Sequence, residues 1–212
     1  MPNDHYYTSA PTSAHKTAYV DTEYRGHALR FETDSGVFSR TELDRGTEVL
    51  LESLPEEIAG SVLDMGCGWG IIGVAIGKHW PAATITMADI NQRACDLSRK
   101  NAQHNGVKAQ VIESDGYEKI LGQTYDLILQ NPPIRAGKAV IYKMFADASD
   151  CLNPEGELWL VIRKQQGAPS AITYLKTLFE EVETVEKKSG FWIIRCREPL
   201  ENRKINTEDE QA

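Results

Sequence analysis

From residue 61 onward the hydrophobic positions fall in short runs of strand length, each followed by a stretch with helical spacing. "SVLDMG", "TITMADI", "AQVIESD" and "YDLILQN" predict four strands, and "GELWLVI" a fifth. Between them, "WGIIGVAIGKHW" predicts a helix stopped by Pro81, residues 92–104 a helix ending at Asn105-Gly106, and residues 138–151 a third. A further helix is expected over residues 170–180. Strands near 183–187 and 190–197 then follow, joined by "KKSG" closely enough for an antiparallel hairpin. This alternation predicts an α/β chain, with a mostly parallel sheet covered by helices on both faces.

The pattern before residue 61 differs. The first twenty or so residues are polar and aperiodic, which predicts an extended arm (1–24) ordered only by packing of Tyr6, Tyr7 and Tyr19. "HALRFETDSGVFS" alternates on either side of Asp34-Ser35-Gly36 and predicts a short hairpin turning there. Ser39 and Glu42 have the spacing of a capping box, and Leu43, Leu50, Leu51 and Leu54 share one helical face, with Pro55 closing the helix. The expected organisation is an arm (1–24), a hairpin–helix extension (25–60), a core (61–198) and a polar tail (199–212).

Composition narrows the functional classes. A chain of 212 residues suits one domain, and a net charge of −8 exerts no global pull on a polyanion. A nucleic-acid partner would have to be met by a local basic patch. The four cysteines are scattered without a CxxC pair, which argues against a zinc site or a disulfide framework and for a reducing cytoplasm. No leader-like segment or run of membrane-spanning length is present in the sequence, so no membrane partner is expected.

The chemistry concentrates where strands end. In "VLDMGCGWGIIG", Asp64 precedes a turn containing Gly66, Gly68 and Gly70. Glycines admit positive φ and close ligand approach, and the helix beyond offers free N–H groups. The spacing is G-x-G-x-G rather than the G-x-G-x-x-G of dinucleotide sites, and Asp64 would repel a pyrophosphate. A cationic ligand without a diphosphate fits, and S-adenosylmethionine is one. Asp89 ends the next strand, where a carboxylate can take both ribose hydroxyls; Asp115 ends the third, where it can accept from an adenine amino group. Any one of these aspartates alone could be a helix cap. All three beside the glycine turn favour a cofactor rim, completed by Cys67, Ile90 and Gly116.

The fourth strand runs into Asn131-Pro132-Pro133. Two prolines remove two backbone donors and fix two φ angles, making a rigid corner on the same rim. The Asn131 side-chain oxygen and the Pro132 carbonyl can each accept one hydrogen of a conjugated amino group, aiming its lone pair at a methyl donor. No strong base or metal is required, because the proton turns acidic only as the new bond forms.

These segments together resemble the class I, Rossmann-like S-adenosylmethionine-dependent methyltransferases of planar amino nitrogens that carry Asn-Pro-Pro. More closely, "DSGVFSRTELDRGTEVLLESL", "VLDMGCGWGIIG" and "NPPIRAGK" resemble the small-subunit ribosomal-RNA (guanine-N2) methyltransferase C family, over about residues 23–197. The resemblance implies a seven-stranded sheet with a reversed last strand. It also implies a methionine end lined by Asp64, Gly66 and Gly68, a ribose at Asp89, an adenine at Asp115, and a target amino group at Asn131 and Pro132. Phe38 and Ser39 are expected near the cofactor or the entering base. Long members of that family carry two related domains, and this chain matches one. Ile134 stands where many amino methyltransferases place a stacking aromatic, leaving Phe38, Trp69 and Tyr142 as candidates for that task.

The implied partner is RNA, of ribosomal origin or within the small ribosomal subunit. Residues 131–143 hold Arg135, Lys138 and Lys143 and no acid, and Arg163 and Lys164 end the next strand. Arg135 and Lys138 are therefore expected to contact substrate phosphate, with Ile134 touching the base. Methylation of another planar nitrogen (protein glutamine or adenine) and a non-catalytic cofactor- or RNA-binding module are the alternatives.

Overall fold

Residues 14–200 are described by a computed structural model, in which the alternation beginning at residue 61 becomes one seven-stranded sheet. Its strands are β3 (Ser61–Met65), β4 (Thr84–Asp89), β5 (Ala109–Glu113), β6 (Tyr125–Gln130), β7 (Leu152–Arg163), β8 (Phe179–Lys188) and β9 (Phe191–Pro199). A separate antiparallel hairpin is formed by β1 (Ala18–Tyr24) and β2 (His27–Thr33). The helices are α1 (Arg45–Ser53), α2 (Ile71–His79), α3 (Gln92–His104), α4 (Lys138–Asp150) and α5 (Ala168–Leu175). Spatial order in the sheet is β5-β4-β3-β6-β7-β9-β8, with β9 antiparallel to both neighbours. This is the class I methyltransferase fold that the sequence resemblance implied.

Alternation within the strands builds two cores. Val62, Leu127 and Leu129 point to the face covered by the hairpin, α1, α2 and α3, where Phe31, Leu50 and Ile76 are fully buried. Leu63, Met65 and Ile128 point the other way, onto Phe145 of α4 and Leu175 of α5. Each fully buried side chain of this size contributes about 1.5–3 kcal/mol. The hairpin and α1 thus belong to the same core as the sheet.

Successive connections carry the chain outward from β3 through β4 to β5, and then back to β6 on the other side of β3. The order reverses between β3 and β6, the place where open α/β sheets leave a crevice beyond their strand ends. Met65 pairs with Gln130, so Gly66 and Asn131 emerge side by side.

The amino-terminal expectations need correction. Strand pairing begins at Ala18, inside the segment expected as an arm; residues 1–13 and 201–212, including Tyr6, Tyr7 and most of the tail, lie outside the described residues. The hairpin turns at Arg25-Gly26, whose φ values of 46° and 82° suit a two-residue turn, and not at Asp34–Gly36. Asp34 instead accepts from the Lys16 N–H at 2.5 Å and contacts His15, fastening the open end of the hairpin. Ser39 is not a helix cap: at φ 51° it lies outside the extended region a cap requires, and its hydroxyl donates to the Glu42 carbonyl at 2.6 Å. Asp44 caps α1 by accepting from Thr47 N–H at 2.9 Å. Nearer the other end, α5 runs over Ala168–Leu175, earlier than expected, because Gly167 at φ 103° and Pro169 start it and Phe179 already pairs in β8.

Candidate active site

Three sequence-distant segments meet at the reversal point in a cleft bounded by Phe38, Ser39, Asp44, Gly66, Gly68 and Asn131. A larger groove of about 400 Å³, around Tyr19, Arg30 and Lys100, holds none of the predicted site residues.

The glycine turn has the conformation its spacing requires. Gly66, Gly68 and Gly70 have φ of 76°, 56° and 87°. A Cβ built on Gly66 or Gly68 would meet nothing within 4 Å, so both backbones present an open face. Gly70 is different, since its Cβ would meet Ser98 Oγ at 2.9 Å, and it serves packing of α2 against α3. Asp89 braces the turn: its carboxylate accepts from Gly68 N–H at 2.8 Å and Asn91 N–H at 2.9 Å. Cys67 is buried, with Sγ 3.3 Å from Ser98 Oγ, and burial pushes its thiol pKa well up, so it is no nucleophile.

Asp64 is fully buried beneath this turn. One carboxylate oxygen accepts from Gly73 N–H at 2.9 Å, and the other has no partner among the described residues. Burial pushes its pKa up to about 7, against the Gly73 hydrogen bond and with help from the charge of Asp89. Asp89, whose carboxylate lies within the fold although the residue is partly exposed, is also raised, mainly by burial. A buried carboxylate with an orphaned oxygen, a second acid close enough to raise its pKa and an open glycine backbone fit a ligand carrying positive charge. The amino and sulfonium groups of S-adenosylmethionine meet that requirement.

Asn131 is held by residues that sequence reasoning missed. Its amide nitrogen donates to Asp44 Oδ2 at 3.0 Å and to Thr47 Oγ1 at 2.9 Å, both in the first turn of α1. An ionised carboxylate accepts only, so the nitrogen must be the atom facing Asp44. Both amide hydrogens are thereby committed, and the oxygen is left as acceptor. Pro132 is buried, and its carbonyl accepts no hydrogen bond among the described residues. Among the described residues, none donates to the Asn131 side-chain oxygen or to the Pro132 carbonyl.

The remaining predicted residues are distributed unevenly. Ile90 follows Asp89 on the rim. Asp115 and Gly116 lie beyond the end of β5 at Glu113, with Asp115 exposed rather than at a strand end. Pro133 leads into a 3₁₀ turn over Ile134–Ala136, and Ile134 packs partly against the α4 side of the core. Arg135 and Lys138 are exposed along the rim. Of the stacking candidates, Trp69 is core: 3% exposed, packed edge-on to Phe31 and tied to the Phe38 carbonyl at 2.9 Å. Tyr142 is stacked on Tyr174 with ring centroids 4.0 Å apart. Phe38, 37% exposed at the cleft, is the one of the three open to a ligand. Its loop is fastened by Asn91 donating to the Gly36 carbonyl at 2.8 Å and Arg93 to the Ser35 carbonyl at 2.6 Å.

Among the described residues no group of three or more His, Cys, Asp or Glu is placed to hold a metal, and no helix is long and apolar enough to cross a membrane.

Comparison with known proteins agrees with the fold. A family model described as "Methyltransferase small domain" matches residues 28–195. The "Uncharacterized protein YbxB" of Bacillus subtilis (strain 168) is 42% identical over 198 residues, covering 92% of this chain and 98% of that protein. The ribosomal RNA small subunit methyltransferase C of Pasteurella multocida (strain Pm70) is 40% identical over 137 residues, 63% of this chain but 42% of that protein. A solved structure of the T. thermophilus 16S rRNA N2 G1207 methyltransferase, in complex with AdoMet and guanosine, superposes with a TM-score of 0.78 at 24% identity. It matches 89% of this chain and 52% of that chain. This chain therefore spans about half or less of those ribosomal-RNA methyltransferases.

Proposed function

We propose, from the premise that this chain belongs to the methyltransferase small domain family, that it methylates an exocyclic amino nitrogen of RNA, with guanine N2 in small-subunit ribosomal RNA as target. The cofactor is S-adenosylmethionine, and the finer assignment is supported by what the similar proteins are named for. The observation that supports the chemistry is the committed amide of Asn131, whose nitrogen is held by Asp44 and Thr47 so that its oxygen is left to accept.

In this reading Asp64, Gly66, Cys67 and Gly68 hold the methionine end of the cofactor, with Gly70 packing the turn behind them, Asp89 and Ile90 the ribose, and Asp115 with Gly116 the adenine. When bound, the cofactor supplies a methyl group on a positively charged sulfur, which is left as a neutral thioether. Asn131 Oδ1 and the Pro132 carbonyl accept the two amino hydrogens of the base. That fixes the plane of the amino group and directs its lone pair toward the methyl carbon. As the N–C bond forms, positive charge grows on nitrogen, and the two acceptors stabilise it before the proton passes to water. Pro133 keeps the corner stiff, Phe38 and Ile134 bracket the base, and Arg135 and Lys138 meet phosphate. The setting of such an activity is the cytoplasm.

Incubation with methyl-labelled cofactor tests the substrate class. Label is expected in RNA when small ribosomal subunits or their naked RNA are supplied. Label confined to protein fractions would replace this reading by glutamine methylation.

The acid at the cofactor site sets a pH dependence. The folded pKa of Asp64, about 7, lies above its ordinary 3.8, so folding disfavours the carboxylate. The penalty is absent below about pH 3.8, builds through about pH 7 and is complete above, reaching about 4 kcal/mol at most. A cationic ligand favours the ionised form and drives the proton off. Cofactor affinity should therefore climb up to tenfold per unit between about pH 5.5 and about pH 7 and level off above. Calorimetry in buffers of different ionisation enthalpy should show proton release near pH 6. A flat affinity with no proton release would remove Asp64 from the cationic end of the site.

A further inference from the structure

Besides Arg135 and Lys138, the end of β7 and the β8–β9 turn carry a second set of cations. The last rungs of the sheet set Arg163 beside Phe191 and Phe191 beside Lys188, then Ile162 beside Trp192 and Trp192 beside Lys187. The chain reverses between them at Ser189-Gly190, with φ of 53° and 80°. Lys164, which follows directly on β7, donates its N–H to the Gly190 carbonyl at 2.9 Å. Arg163, Lys164, Lys187 and Lys188 are all exposed.

Two of these cations are positioned by aromatic rings. The Arg163 guanidinium lies 4.8 Å from the Phe191 ring centroid and the Lys187 ammonium 4.4 Å from that of Trp192. In α4, the Lys138 ammonium lies 4.9 Å from the Tyr142 ring. Arg163, Lys164, Lys187, Arg135 and Lys138 have no ion-pair partner among the described residues, whereas Lys188 is paired with Glu52 and Arg45 with Glu48.

The second set is joined to the cleft. Arg45, the residue after Asp44, donates to Ser189 Oγ at 3.3 Å. Gly46 lets the Phe191 ring lie against α1, since a Cβ there would meet Phe191 Cε1 at 2.9 Å. The turn of α1 that orients Asn131 thus also seats the β8–β9 turn. In a chain of net charge −8, five uncompensated cations near the strand ends oppose the overall balance and repel one another without an anion between them.

We propose that this rim is the track of the RNA strand on either side of the target nucleotide. Arg135 and Lys138 take phosphates on one flank, and Arg163, Lys164 and Lys187 take them on the other. The inference rests on the RNA reading above and adds the β8–β9 turn to it. The rings of Phe191, Trp192 and Tyr142 keep Arg163, Lys187 and Lys138 on the rim.

Fluorescence anisotropy with a fluorescein-labelled, guanosine-containing single-stranded RNA tests the proposal. The triple variant Arg163→Ala, Lys164→Ala, Lys187→Ala should bind about ten- to hundredfold more weakly, with a salt slope smaller by about two, while its cofactor affinity is unchanged. Lys100→Ala, on α3 and paired with Glu32, should bind as wild type does. Equal affinity and slope in the triple variant and the wild type would overturn the track and leave RNA methylation standing. A wild-type protein that binds no RNA yet methylates protein would overturn both.

Discussion

Asn131→Ala is expected to lower kcat by about 10²- to 10³-fold while leaving cofactor affinity within about twofold. The side chain belongs to the turn after β6, whereas the features fitted to the cofactor come from β3, β4 and the glycine turn. Truncation removes the one acceptor that meets the amino group from the side chain. The Pro132 carbonyl remains, so residual activity above background is expected. The amide also spans α1 and β6, but its partners Asp44 and Thr47 keep each other, because Asp44 still accepts from Thr47 N–H. The fold should persist, which a thermal melt would check. Equal loss of turnover and cofactor binding would contradict the assigned role.

Asp44→Ala should lower kcat by about ten- to hundredfold without any contact between Asp44 and substrate. The substitution strips one of the two acceptors that hold the Asn131 nitrogen, freeing the amide to rotate. It also removes the cap of α1, a stability loss of about 1 kcal/mol. A capping role alone would lower the melting temperature and leave kcat per folded molecule unchanged. Asp44→Asn separates the two roles, because its amide oxygen can accept from both Thr47 N–H and Asn131 while the charge is lost. Rescue of kcat by asparagine is the expected result; a kcat unmoved by alanine would reduce Asp44 to a cap.

How far the sequence carries can be judged from these same residues. The run from β3 to β7 is legible because buried parallel strands are continuous apolar runs and their connecting helices are periodic. The glycine turn and the Asn-Pro-Pro corner are legible because positive φ and fixed φ are properties of single residue types. Asp44 is not, since its second partner lies 87 residues away and its cap competes with a Ser39–Glu42 pair that also has capping spacing. Only the structure shows that Ser39 has the wrong φ. The β1–β2 hairpin was obscured in a similar way: Asp-Ser-Gly is a stronger turn signature than Arg-Gly, yet the alternation of "AYVDTEY" and "HALRFET" about Arg25-Gly26 was there to be read. Which aromatics remain open to a base is a matter of tertiary packing. Trp69 meets Phe31, Tyr142 meets Tyr174, and neither pairing leaves a mark in the sequence.

The central claim is that the Asn131–Pro132 corner presents two acceptors to the amino group of guanine. The most direct test is mass spectrometry of nucleosides from ribosomal RNA incubated with the protein and S-adenosylmethionine carrying a deuterated methyl group. The account predicts deuterated N2-methylguanosine, lost when Asn131→Ala replaces the wild type. Label in a methylated adenosine, in a ring nitrogen or in ribose, with guanosine unlabelled, would contradict it.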